Sequence, residues 1–103
     1  MKIRAVTAQG EAHDRDSDLD HLQQFEVETD RGHRYVVECE EPTVGSPSDR
    51  TVTRSDNGQP VGHVHLLGAG MPGATNYRYK RAGALFASGQ QSDLCNAVQS
   101  LLQ

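Results

Sequence analysis

Phe25-Glu26-Val27-Glu28-Thr29-Asp30-Arg31-Gly32-His33-Arg34-Tyr35-Val36-Val37-Glu38-Cys39 is the stretch whose reading decides the fold. Apolar and polar residues alternate on both sides of Asp30-Arg31-Gly32, the period of a strand with one buried face. Asp30 and Arg31 suit a type I turn, and Gly32 takes the left-handed conformation that closes it at no steric cost. A three-residue loop sets Thr29 opposite His33. It pairs Val27 with Tyr35, Phe25 with Val37, Glu28 with Arg34 and Glu26 with Val36. Phe25, Val27, Tyr35, Val37 and Cys39 then share one face. The wet face carries an acid directly across from a base, a favourable cross-strand pair. A slip of one residue would turn one strand's apolar set to water, so turn chemistry and pattern specify the same register.

Downstream, Asp56-Asn57-Gly58 lies between Thr51–Arg54 and Val61–Leu67 and signals a second hairpin. Two registers are open. A two-residue Asn57-Gly58 turn pairs Val52 with His63; a three-residue turn pairs Thr51 with His63. Val64 and Leu66 are taken as the inward pair of that strand. Lys2–Ala8 reads as a strand whose faces are not cleanly separated, and Tyr77–Arg81 as another, with Ala82–Ala87 continuing it past a kink at Gly83. Ser88–Gln103 reads as the one helix, with Ser88 and Gln91 as a capping box or Ser92 as N-cap. Leu94, Val98 and Leu101 form its apolar stripe, widened by Cys95 and Leu102. The Phe25/Val37 face is the expected seat for that stripe. The expectation is therefore a single α+β domain over residues 1–103: an antiparallel sheet of four to five strands, two hairpins plus flanking strands, with a C-terminal helix packed on one face.

Composition narrows the class. Of 103 residues, 35% are hydrophobic, five are aromatic and none is Trp, so the core is thin. No run approaches the roughly 20 apolar residues that span a bilayer. Met1-Lys2-Ile3-Arg4-Ala5 lacks an apolar signal segment, and the expected localisation is cytoplasmic. Cys39 and Cys95 are expected as small core hydrophobes, too few for a four-cysteine zinc site. Residues 1–60 hold 13 of 14 acids and seven of ten bases, a net of −6; residues 61–103 are at +2. Overall acidity argues against a general nucleic-acid binder, which needs cations to displace counterions.

The chemistry-bearing residues are few. His63-Val64-His65 projects two imidazoles to one side of a strand, as a transition-metal site requires, but a zinc site needs three or four ligands. His13, His33 and Cys39 are the further ligands to consider. Asp14-Arg15-Asp16-Ser17-Asp18-Leu19-Asp20 lacks the glycine and the final glutamate of a calcium loop and reads as a solvated acidic loop. Gly68-Ala69-Gly70-Met71-Pro72-Gly73 lacks the Lys-Ser/Thr ending of a phosphate loop and reads as a connector. Neither a Gly-x-Ser-x-Gly elbow nor a His-Glu-x-x-His nor a Cys-x-x-Cys motif is present, which weighs against an enzyme.

Tyr77-Arg78-Tyr79-Lys80-Arg81 interleaves rings and cations. The plain reading is a strand with Tyr inward and cations outward. The functional reading is a partner-binding strand, since Tyr and Arg are enriched in interface cores. The expected function is a small non-enzymatic protein-interaction module — an inhibitor, adaptor or accessory protein — binding through a sheet surface or edge and able to self-associate. Tyr77, Arg78, Tyr79, Lys80 and Arg81 are its partner-binding residues, with His63 and His65 nearby. The alternative is a metal-dependent protein or enzyme using His63 and His65. A weaker one is single-stranded nucleic-acid binding through Tyr77–Arg81. No cofactor is expected apart from that metal.

Overall fold

The Asp30-Arg31-Gly32 hairpin forms in the expected register. The computed structural model, which describes residues 2–14, 19, 22–39, 49–67 and 76–103, pairs Phe25 with Val37, Glu26 with Val36, Val27 with Tyr35 and Glu28 with Arg34. Gly32 has φ of 81°, its N–H donates to the Thr29 carbonyl at 3.0 Å, and the Thr29 N–H donates to the His33 carbonyl at 2.8 Å. These are β3 (Gln24–Thr29) and β4 (Arg34–Cys39).

Around them the chain adds β1 (Ile3–Ala8) and β2 (Glu11–His13) on one side. On the other side come β5 (Asp49–Arg54), β6 (Pro60–Leu67), β7 (Asn76–Arg81) and β8 (Gly89–Gln91). All join one antiparallel sheet in the order β2-β1-β3-β4-β5-β6-β7-β8, followed by helix α1 (Leu94–Leu101). The α+β class with a C-terminal helix holds. The strand count is eight instead of four to five. Two of the extra strands, β2 and β8, are three-residue edges, too short for a periodicity to register.

Local irregularities explain the ambiguous stretches. The β1–β3 register shifts between Ile3 and Ala5, which makes Arg4 the extra residue of a bulge. Ile3 and Val6 therefore both point inward, and simple alternation fails. Gln9 and Gly10 both have positive φ, the requirement of a two-residue hairpin turn of the primed kind, and that turn returns the chain as β2. In the second hairpin Thr51 pairs with His63, Val52 with Gly62 and Thr53 with Pro60, so Val61 is the bulged residue. Val64 and Leu66 face inward, as expected, and are buried.

The helix is shorter than expected. Ser88–Ser92 does not belong to it: Gly89–Gln91 pairs with Tyr77–Tyr79 as β8, and neither Ser88 nor Ser92 is the cap. Asp93 is the N-cap, in extended conformation, and its Oδ2 accepts from the Asn96 N–H at 3.0 Å. Ala82–Ala87 is likewise not strand but a loop turned at Gly83, whose φ is +82°.

One face of the sheet holds the core. Phe25, Val27, Val37, Val52 and Val64 are buried together with Leu94, Val98 and Leu101 of the helix. The helix occupies the expected face but sits along it, over β6, β7 and β8. Its Gln99 Oε1 also accepts from the Ile3 N–H at 3.0 Å, so the sheet curls to bring β1 to the same helix. Over Phe25 the cover is Arg50, 2% exposed, with its guanidinium 5.7 Å from the ring centroid. That guanidinium donates to the Leu22 carbonyl at 2.7 Å and the Leu19 carbonyl at 3.5 Å, which offsets the cost of burying a charge. The opposite sheet face is uncovered by any described element. No helix among the described residues is long and apolar enough to cross a membrane.

Candidate protein-interaction surface

Strand β7 sorts its five singled-out residues into three places. Tyr77 is 3% exposed and belongs to the core. Tyr79 is half-buried on the same face, with its ring laid across Gly89 of β8. A Cβ at Gly89 would lie 2.6 Å from Cζ of that ring. Arg81 folds over Tyr79, its guanidinium 5.9 Å from the ring centroid. The same guanidinium donates to the Ser100 carbonyl at 3.1 Å and the Gln103 carbonyl at 3.2 Å. It thereby adds a charged donor at the C-terminal end of α1, where the Ser100 carbonyl also accepts from the Gln103 N–H at 3.3 Å. Arg78 and Lys80 alone point to the open face, where both are exposed.

On that face the ladder sets Lys80 directly opposite His63 and Arg78 directly opposite His65. Both histidines are exposed. Two cations and two imidazoles thus occupy adjacent positions across β6 and β7. Asp49 of β5 lies across from His65, its Oδ1 2.5 Å from His65 Nδ1. His63 is engaged in a contact of its own as well.

Five other arginines are engaged elsewhere. Arg4 and Arg34 both bond Glu28 on the outer face, and their hydrogen bonds hold its carboxyl below the usual carboxylate range. Arg54 bonds Asp56 at 3.0 Å beside the second hairpin tip and lowers that carboxyl in the same way. Arg50 is in the core and Arg81 on the helix end. Against these, Arg78 and Lys80 stand on an open sheet face with imidazoles beside them.

The proposed metal ligands do not converge. His63 and His65 share the outer face of β6, while His13 lies on the β2 edge and His33 at the β3–β4 turn. Cys39 lies on β4 in register with Arg50, a residue of the core face. Among the described residues no three His, Cys, Asp or Glu side chains come together as a metal site. The acidic run at 14–20 falls outside the described residues except for Asp14 and Leu19, and the glycine-rich run at 68–73 lies wholly outside them. A hollow of about 240 Å³ between two hairpin tips is lined by Gly32, His33, Arg34, Arg54, Ser55 and Asp56. It is smaller than the roughly 300–1,000 Å³ usual for small-molecule sites.

Two features escaped the sequence reading. Leu85 and Phe86, in the β7–β8 loop, are 87% and 82% exposed. The sequence places them in a strand continued past a kink at Gly83; their position between Gly83 and Gly89 is the signal for a loop. Arg50 was placed by no pattern, since a buried arginine two residues before Val52 breaks the inward apolar period.

In comparison with known proteins, no protein-family model, no curated protein and no solved structure matches the chain.

Proposed function

We propose that this chain is a non-enzymatic protein-interaction module that holds an acidic protein partner against the open face of β6 and β7. One observation carries the reading: Lys80 opposite His63 and Arg78 opposite His65 on a sheet face that no described element covers. Arg78 and Lys80 offer this face two exposed cations, the complement of carboxylates on a partner. The chain as a whole is at −4, so a cationic patch is a local arrangement against the overall charge. Charged complementarity of this kind governs encounter rate and specificity more than raw affinity.

The inward placement of Tyr77 and Tyr79 favours this reading over single-stranded nucleic acid, whose bases need exposed rings to stack on. It also redraws the binding set. Arg78 and Lys80 carry it, with His63 and His65 beside them; Tyr77, Tyr79 and Arg81 support the strand from the core side and the helix end.

The test is an affinity capture from native extract at low and high salt, wild type against R78A/K80A. Both side chains are exposed, so the double variant should keep the wild-type unfolding midpoint. Partners captured by wild type at low salt should be lost in the variant and at high salt. A partner that binds both proteins equally would place the interface elsewhere.

A further inference from the structure

We propose that β8 is a self-association edge: two copies of this chain join β8 to β8, antiparallel about a two-fold axis, with each Leu85–Phe86 pair packed on the other copy. This edge adjoins the Arg78–Lys80 face, with Gln90 in register with Arg78, but the proposal does not depend on how that face is read.

The two edges of the sheet differ in kind. An open edge is a template for another strand, and folded chains commonly guard it with charge or proline. The β2 edge is guarded: Glu11, Ala12 and His13 are followed by Asp14. The β8 edge is Gly89, Gln90 and Gln91, with neither charge nor proline. It is also held rigid. The Tyr79 ring lies across Gly89, and Gln91 Nε2 donates to Ser100 Oγ of the helix at 3.1 Å. A preformed strand loses little freedom when another pairs with it.

Leu85 and Phe86 stand at the entrance to this edge, the large apolar side chains that the described surface exposes. Neighbouring apolar residues presented this way mark contact sites, and aromatic anchors dominate interface energetics.

Charge selects the occupant. From Ala82 to Gln103 the only charged side chain is Asp93. A two-fold interface brings each patch onto its own copy, so same-sign charges would oppose themselves. A nearly neutral edge avoids that repulsion. Within the segment itself an acidic partner or an anionic lipid surface finds no cation; the neighbouring one, Arg78, lies across the ladder from Gln90. Three-residue strands and two apolar anchors per copy make a small interface, below about 1,200 Å² in total, which belongs to the weak, transient class. Joined in this way, the two sheets become continuous and their Arg78–Lys80 faces lie on the same side. A partner with repeated acidic segments would then gain avidity.

The experiment is sedimentation velocity on the purified full chain from about 5 µM to about 500 µM, a range that brackets a weak dimer. Wild type should shift from monomer to dimer across it. L85S/F86S should weaken association at least about tenfold, as loss of two buried anchors implies. Gln90 is exposed, so Q90K and Q90E should fold normally. In the register centred on Gln90, each charge opposes its own copy, so each variant alone should stay monomeric and an equimolar mixture should associate again. A wild type that is monomeric throughout overturns the proposal. So does a dimer that Q90K and Q90E leave unchanged, or one their mixture does not restore. Co-sedimentation of a monomeric wild type with phosphatidylserine–phosphatidylcholine vesicles, lost in L85S/F86S, would also overturn it in favour of a lipid-contacting loop.

Discussion

Replacing Gly62 with Ala tests the closest approach in the core. Gly62 is on β6 beneath the last turn of α1. A Cβ built there would run into the Lys80 carbonyl oxygen and would lie 2.6 Å from Leu101 Cδ1 and 3.1 Å from Leu101 Cδ2. The Leu101 methyls can swing away at modest cost. The Lys80 oxygen belongs to the backbone of β7, paired to β6 along its length, so β6 and β7 must spread. Overpacking of this kind costs about 1–3 kcal/mol. Against it stands a gain of about 0.4–1 kcal/mol, because Ala restricts the unfolded chain more than Gly. With a backbone atom in the way, a net loss of about 1–2 kcal/mol is expected. For a domain of this size that lowers Tm by roughly 4–16 °C. Urea denaturation followed by far-ultraviolet circular dichroism measures it. L101A alone should cost about 2–5 kcal/mol. In G62A/L101A the loss should be smaller than the two single losses together, because the methyl clash is gone. It should stay larger than for L101A alone, because the Lys80 oxygen remains. A G62A protein as stable as wild type would refute the helix seat on β6.

Two further outcomes follow from local geometry. D93A removes the acceptor for the Asn96 N–H and should cost about 0.5–2 kcal/mol, with D93S recovering most of it in the same urea titration. Glu28 is held below its ordinary value of 4.5 by its hydrogen bonds from Arg4 and Arg34, so its contribution is complete above that value and is lost as pH falls through the lowered one. E28Q should therefore be less stable than wild type at neutral pH, and the gap should close as the pH drops below about 4.5. Added salt should narrow it too, because the group is exposed. A gap that widens on acidification would reverse the sign of this contribution.

The first hairpin was legible because three signals agreed in one short stretch: alternation, a Gly32 suited to a left-handed turn, and an acid facing a base. The second was half legible. Asp56-Asn57-Gly58 announced the turn, but the bulge at Val61 fixed the register, and a bulge leaves no periodic trace. The Arg4 bulge blurred β1 in the same manner. The helix was recognisable from Leu94, Val98 and Leu101, yet its start was misplaced. Ser88 and Ser92 carry the chemistry of a cap, and only the pairing of Gly89–Gln91 with β7 claims those residues for the sheet. At the candidate surface the sequence gathered Tyr77 to Arg81 as one unit. Strand alternation separates them, and Arg81 goes to the helix end through contacts 19 and 22 residues away, beyond any local pattern. That His63 and His65 face water next to Arg78 and Lys80 followed from placing Val64 and Leu66 inward; which strand lies beside which needed the ladder itself.

Zero-length carbodiimide cross-linking at Lys80 tests the acidic-partner claim most directly. The reagent joins an amine to a carboxylate already in contact with it, and Lys2 and Lys80 are the chain's two lysines. Wild type in native extract should yield an adduct mapped to Lys80 and an acidic peptide of another protein. K80R keeps the charge but lacks the amine, so it should still capture that protein while losing the adduct; R78A/K80A should lose both. Capture of a partner with adducts only at Lys2, unchanged in R78A/K80A, would contradict the assignment of the β6–β7 face.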